Sequence, residues 1–312
     1  MNLRRAATIG VLFAGCLGTG NAAQGRWSDG VPLNIARSEV AVAAVGETIY
    51  VIGGFARGAA GQAINEAYDV AAKRWSTRAP LPQGLNHIAA AAFDGKVYAF
   101  GGFSARDGRA VADAYVYDPA ADKWRAIAPL PSARGAAGAA VLDDKIHIVG
   151  GNRKGSLTAH DVYDPRTNAW KSLAPLPQRR DHLAVVAAGG KLYAIGGRVD
   201  DFNHNVSRND VYDQRRDAWS SGAPLLTARS GVAVALNDGR IDVIGGEHAA
   251  GTFTENESYD PRANTWTEEA PLPEGRHGTG AAVVGDTLYL PAGGPSPGGS
   301  ESNTLFIFTE RR

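Results

Sequence analysis

A chain of 312 residues, 44% of them hydrophobic, exceeds one ordinary compact domain and calls for either two domains or a repeated unit. Lys plus Arg equals Asp plus Glu at 32 each, and a neutral chain without a basic stripe argues against nucleic acid as the main partner. The 39 glycines and 16 prolines are spread along the whole length, which favours turns over a disordered tail.

The first 23 residues differ from the rest. Arg4 and Arg5 precede the short apolar run "AATIGVLFAG", and "GTGNAA" supplies small residues before Gln24. This is the pattern of a secretory signal peptide, too short and too weakly flanked for a membrane span. Cleavage is expected near Ala23, leaving a soluble periplasmic or secreted chain of residues 24–312. Cys16 is the only cysteine, and "FAGC" offers the alternative of a lipid-anchored protein. Phe13 fits poorly where a lipoprotein box prefers leucine, so cleavage is the preferred reading. No other apolar run approaches membrane length.

From Trp27 onward one unit recurs. The six tryptophans Trp27, Trp75, Trp124, Trp170, Trp219 and Trp266 are spaced by 48, 49, 46, 49 and 47 residues. Each is followed by Pro-Leu, from Pro32 to Pro271, and five are preceded by Tyr-Asp, from Tyr68 to Tyr259. A Gly-Gly pair ends an apolar run at Gly53, Gly101, Gly150, Gly196, Gly245 and Gly293.

Each unit predicts four short strands. A small-residue run such as "HLAVVA" meets a tight turn ("AGGK", "NDGR"), then an alternating strand ending in Gly-Gly. After a variable loop come the Tyr-Asp strand and the Trp strand. Four antiparallel strands per period of about 48 residues match a propeller blade and not a solenoid of helix pairs. The chain opens on an orphan Trp strand, "GRWSD", and closes on three strands without one. The N-terminal strand is therefore expected to complete the last of six blades, leaving no open edge at the seam.

The diglycine, the spaced tyrosine and the tryptophan resemble the kelch repeat, and the resemblance covers residues 27–312. It implies an all-β, six-bladed kelch β-propeller, a fold that hosts many functions. Within a blade, the Pro-Leu connections and the loops after Gly-Gly share one face. That face carries the length variation and is the expected binding face.

Sixteen residues before the first glycine of each pair stand Arg37, Leu85, Arg134, Arg180 and Arg229. In the sixth unit an extra residue within "LPAGG" is taken to shift the count, and Arg276 holds the place. A partial ring of guanidinium groups at the channel mouth could clamp an anionic or polyhydroxyl ligand. Because the same residue recurs in most blades, the strut is the preferred reading for any single arginine, and Arg180 is expected to be mainly structural.

The next two positions are not shared: Ser38 and Glu39, Asn86 and His87, Gly135 and Ala136, Asp181 and His182, Ser230 and Gly231. His277 lies near the matching place in the sixth unit. Arg198 and Glu247 directly follow two of the diglycines, where other units have Phe55, Phe103, Asn152 and Pro295. One wall of the mouth thus collects Arg180, His182, Arg198, Arg229, Glu247, Arg276 and His277, facing an aromatic wall of Phe55 and Phe103. Such a mouth suits a glycan, a peptide or a small carboxylated molecule. His182 could instead bond a neighbouring backbone, and Glu247 could be only a salt partner of Arg198 or Arg229. His182, His277 and Glu247 lack dense ligand spacing, so no metal and no cofactor is expected.

The preferred reading is a monomeric binding module for a glycan, peptide or partner protein. The alternative is a carbohydrate-active enzyme, similar to the sialic acid mutarotases built on kelch propellers, with Glu247 or His182 as base. Oxidase chemistry like that of galactose oxidase, whose copper site uses a tyrosine crosslinked to cysteine, is not expected in a chain whose one cysteine lies in the leader.

Overall fold

The computed structural model describes residues 25–57 and 62–310, all in strands, turns and loops. Cys16 and the expected cleavage near Ala23 lie outside the described residues. The strands assemble into six four-stranded antiparallel sheets, the blades of a propeller. Their innermost strands are Ala41–Val45, Ala89–Phe93, Gly138–Leu142, Ala184–Ala188, Ala233–Asn237 and Ala282–Val284. These six neighbour one another in a closed ring around the axis. Their sequences, such as AVAAV and AAAAF, are rich in alanine because six strands converge there and leave room for little more. Second strands such as Thr48–Ile52 and Lys191–Ile195 are buried on both faces between adjacent blades, so the alternation expected of them is corrected to a near-continuous apolar run.

The core is accordingly six layers, each between two blades, rather than one centre. The indole N–H of every tryptophan staples its blade to a neighbour. Trp27 donates to the Ala270 carbonyl at 2.8 Å, Trp75 to Val31 at 2.7 Å, and Trp124 to Ala79 at 2.9 Å. Trp170, Trp219 and Trp266 repeat the bond with Ala128, Ala174 and Ala223.

The last blade is mixed. Strand Arg26–Asp29 pairs antiparallel with Leu305–Thr309, Trp27 opposite Phe308, and completes the sheet begun by Ala282–Val284 and Thr287–Pro291. The expected closure is therefore observed.

The diglycines carry a conformational demand. Gly101 and Gly102 have φ of 60° and 107°, and a Cβ on Gly101 would lie 2.2 Å from the Arg134 carbonyl oxygen of the next blade. The second glycine's N–H bonds that same carbonyl at 2.9 Å. In the sixth blade the expectation of an inserted residue is corrected. Ala292, with φ of 63°, takes the first position, and Gly293 donates to the Arg37 carbonyl at 2.8 Å. Arg276 then stands in register with no insertion. The residue after this pair is Gly294, not Pro295, and it bridges His277.

Candidate functional site

The repeat arginines are withdrawn from the mouth. Arg37, Arg134, Arg180, Arg229 and Arg276 are at most 1% exposed. Four of them meet a carboxylate of their own blade: Arg37 with Glu66 at 2.7 Å, Arg134 with Asp161 at 2.7 Å, Arg180 with Asp210 at 2.6 Å, and Arg229 with Glu257 at 2.5 Å. Their terminal nitrogens also reach backbone carbonyls, as Arg180 does to Gly196 and Ala194, while the Nε groups find no acceptor. Arg276 pairs with Glu274 and lies over the Phe306 ring. The geometry of these arginines is that of the strut, the reading preferred for each of them, and not of a ligand clamp. Each spends its fork inside a blade, because a buried guanidinium needs a fixed set of acceptors.

The residues two positions further on form the mouth itself. Glu39, His87, Ala136, His182, Gly231 and Gly278 all have φ between 52° and 67°. Five of their N–H groups bond the carbonyl of the matching residue one blade back: His87 to Glu39 at 3.0 Å, Ala136 to His87, His182 to Ala136 and Gly231 to His182 each at 2.9 Å, and Gly278 to Gly231 at 3.1 Å. Val40 donates to the Gly278 carbonyl at 3.2 Å and closes the ring. A left-handed conformation costs a non-glycine residue roughly 1–3 kcal/mol, which the closed ring offsets. Glycine would be the cheaper choice, and blades five and six use it. Glu39, His87 and His182 are strained positions that keep a polar side chain.

Those side chains belong to a network that runs almost round the mouth. Asn86 Oδ1 lies 2.6 Å from His87 Nδ1, and His87 Nε2 lies 3.0 Å from Glu39 Oε2. His277 Nδ1 is 3.3 Å from both Glu39 Oε1 and Glu247 Oε2, while its Nε2–H donates to the Ser296 carbonyl at 2.9 Å. Arg198 donates from Nη1 to Glu247 at 2.8 Å and from Nη2 to His182 Nε2 at 3.0 Å. Asp181 then accepts from His182 Nδ1 at 2.5 Å, from Asn152 at 2.9 Å and from the Ser156 hydroxyl. The rings of His87 and His182 meet edge to face at 4.9 Å.

Electrostatics follow from this geometry. Burial opposes ionisation of Glu39, but the imidazoles of His87 and His277 outweigh it and hold the carboxyl well below the usual range. Asp181 is likewise held ionised against burial, by His182 and then by Ser156 and Asn152. Burial pushes His87 down to about 4, only partly countered by Glu39, so that ring is neutral at pH 7. His277 shifts the other way. Burial disfavours its charge, yet Glu39 and Glu247 raise its affinity for a proton above the ordinary value.

His182, Arg198, Glu247 and His277 therefore come together, and Phe55 and Phe103 flank His87 at 5.8 and 5.3 Å. Glu247 is 1% exposed, with Oε1 held by Arg198 and Oε2 by the Gly298 N–H at 3.1 Å. It is committed to holding its neighbours, while the rings of His87 and His182 line the mouth beside it. Sequence reasoning aligned Glu39, Asn86 and His87 in the informative columns but did not assign them to the site. Their distinction from the repeat consensus was the available signal. Phe202, which stacks on Arg198 at 4.3 Å, gave none, because it lies in a loop of irregular length. Metal-ligating atoms also group otherwise than expected: Glu39 with His87 and His182, and Glu39 with Glu247 and His277, each set within 4.8 Å.

Beneath the histidines lies a cavity of about 100 Å³, lined by Glu39, His87, His182 and backbone of the ring. Further along the axis the channel widens to about 460 Å³, lined largely by alanine and valine.

A family model described as the KLHDC2/KLHL20/DRC7 Kelch-repeats domain matches residues 19–197, and a Kelch motif model matches residues 179–226 and 228–273. No curated protein matches the chain. A solved structure described as "Structure of YjhT" is similar with a TM-score of 0.80 at 17% identity, covering 90% of this chain and 97% of that one. At that identity the likeness concerns the fold alone.

Proposed function

Because the chain belongs to the kelch-repeat family, we propose that it is an exported binding module whose Pro-Leu and post-diglycine face takes a carboxylated sugar or a similar small polyhydroxyl acid. One observation carries this reading. Polar groups that depart from the repeat converge on a single mouth, beside the half-buried rings of Phe55 and Phe103. Aromatic faces suit a sugar ring, and the loops of the first three blades add exposed Arg57, Arg106, Arg109, Arg153 and Lys154 for a carboxylate. The cavity under the histidines, about 100 Å³, is well below the roughly 300–1,000 Å³ of a pocket that encloses a ligand. The ligand would lie across the mouth, which favours binding over enclosed catalysis.

A screen of the purified protein against sugar acids and matched neutral sugars tests this. Acidic sugars should bind, and Phe103→Ala or His182→Ala should abolish binding without lowering the melting temperature. Equal binding of neutral partners, or none of either, would reject it.

The second reading is acid/base chemistry on such a sugar. It is favoured by the Asp181–His182 pair at 2.5 Å, which fixes the imidazole at the mouth with Nε2 beside Arg198. Anomer interconversion followed by NMR, faster with the native chain than with His182→Ala, would support it.

A further inference from the structure

The contact between His87 and Glu39 lacks a donor. Asn86 Oδ1 can only accept, so the hydrogen of His87 sits on Nδ1, donated over 2.6 Å. His87 Nε2 then presents a lone pair to the carboxylate oxygen of Glu39 at 3.0 Å. In this arrangement the two acceptors, at hydrogen-bond distance from each other, can share a metal ion. His182 is prepared in the same way. Its Nδ1–H donates to Asp181, and its Nε2 lone pair faces inward.

We infer that Glu39, His87 and His182 form a binding site for a first-row divalent cation of the zinc class at the channel mouth. The three ligating atoms lie within 4.8 Å of one another. Ligand atoms about 2.1 Å from a common metal stand roughly 3.0–3.4 Å apart, and the Glu39–His87 pair already has that separation. Both histidines have the outer partner that orients a metal-bound imidazole, Asn86 for one and Asp181 for the other. The backbone ring fixes all three residues in one conformation, so the site is preorganised. The cavity below has room for a water ligand.

Arg198 is the competitor, since its Nη2 donates to His182 Nε2 at 3.0 Å. It has other anchors in Glu247, Asp181 and the Phe202 ring, so releasing this bond leaves it paired. Three carboxylates, Glu39, Asp181 and Glu247, gather at the mouth around Arg198, a concentration of negative charge that a cation offsets. In the other grouping, Glu39 with Glu247 and His277, Nδ1 stands 3.3 Å from both carboxylates without hydrogen-bond geometry to either, and Glu247 is already held by Arg198 and the Gly298 N–H.

The inference goes beyond the sugar-acid reading and is tested with metal alone. The purified protein, stripped with a chelator, is titrated with Co²⁺ and then Zn²⁺ while visible absorption and heat are recorded. One Co²⁺ per chain should bind and be displaced by Zn²⁺. His87→Ala and His182→Ala should each weaken binding at least tenfold, and Asn86→Ala by about 10–100-fold. Arg198→Ala should tighten it, a gain that misfolding cannot produce, and His277→Gln should leave it in place. Absence of binding by the folded native chain would overturn the inference. So would binding that survives both histidine substitutions, binding lost in His277→Gln but kept in His182→Ala, or no gain in Arg198→Ala.

Discussion

The guanidinium of Arg276 lies 5.0 Å above the ring of Phe306, in the place where Arg37, Arg134, Arg180 and Arg229 each meet a carboxylate. The acids Glu66, Asp161, Asp210 and Glu257 occupy the second position of the third strand in their blades. Blade six has Phe306 there, and blade two, whose arginine is replaced by Leu85, has Tyr115. Where the cation is absent, so is the buried anion.

Arg229→Leu should therefore destabilise the protein by about 3–5 kcal/mol in chemical denaturation, because Glu257 would be left buried without its cation. Adding Glu257→Tyr, which copies the Leu85 and Tyr115 pair, should recover part of that loss. Arg180→Leu should lose less, since Arg208 also reaches Asp210 at 2.5 Å. If the double variant is no better than Arg229→Leu alone, the carboxylate is not what makes the single change costly.

Trp27 holds the seam of the ring. Its indole packs on Phe308 at a centroid distance of 4.9 Å and bonds Ala270 in the fifth blade's outer region. Trp27→Ala should reduce stability by about 3–5 kcal/mol, as expected for a large side chain in a packed layer. Deleting residues 25–31 should lower the melting temperature more strongly, by stripping a whole strand from the last blade. Unchanged melting of the deleted form would mean the mixed blade does not close the ring.

Acid should weaken the fold between about pH 6.5 and 4. Burial pushes His160 down to about 4 and His147 to about 3, while His87 also falls to about 4. A base whose folded value is depressed supports the fold above its unfolded value and loses that support as pH drops. For His160 the term is on the order of 3 kcal/mol. Blades one and four have Asn65 and Asn209 at this position, donating to Ala79 and Ala223 as His160 does to Ala174. His160→Asn should thus keep the bond and flatten the melting temperature against pH. His277 has the opposite sign: its raised value gives stability below pH 6.5 that is lost as pH rises through the folded value. The advantage of the native chain over His277→Gln should shrink in alkali. A constant difference across pH 5–9 would show that His277 is not the proton held between Glu39 and Glu247.

The repeat made the fold legible. Trp marks one job that six blades share, Tyr-Asp and Gly-Gly mark jobs that five share, and the orphan "GRWSD" announced the closure. Arg180 as a strut followed from the same logic. The acids that hold these arginines were harder to see, because Glu and Asp alternate at the position two before tyrosine. At the mouth, departure from the repeat marked His182, Arg198, Glu247 and His277. It could not say that Glu39 and His87 join them, since contacts between different blades depend on the curvature of the whole ring. Ala292 in place of a diglycine member hid the register of the sixth blade until its φ of 63° was seen.

The central claim, that the mouth is the binding face, is tested most directly by one comparative titration. An acidic-sugar hit from the screen is titrated into the native chain, Phe103→Ala, and Arg166→Ala. Arg166 is exposed on the opposite face, paired with Asp144. The account predicts that Phe103→Ala loses binding while Arg166→Ala matches the native chain. Binding retained by Phe103→Ala and lost by Arg166→Ala would contradict it and move the site to the other face.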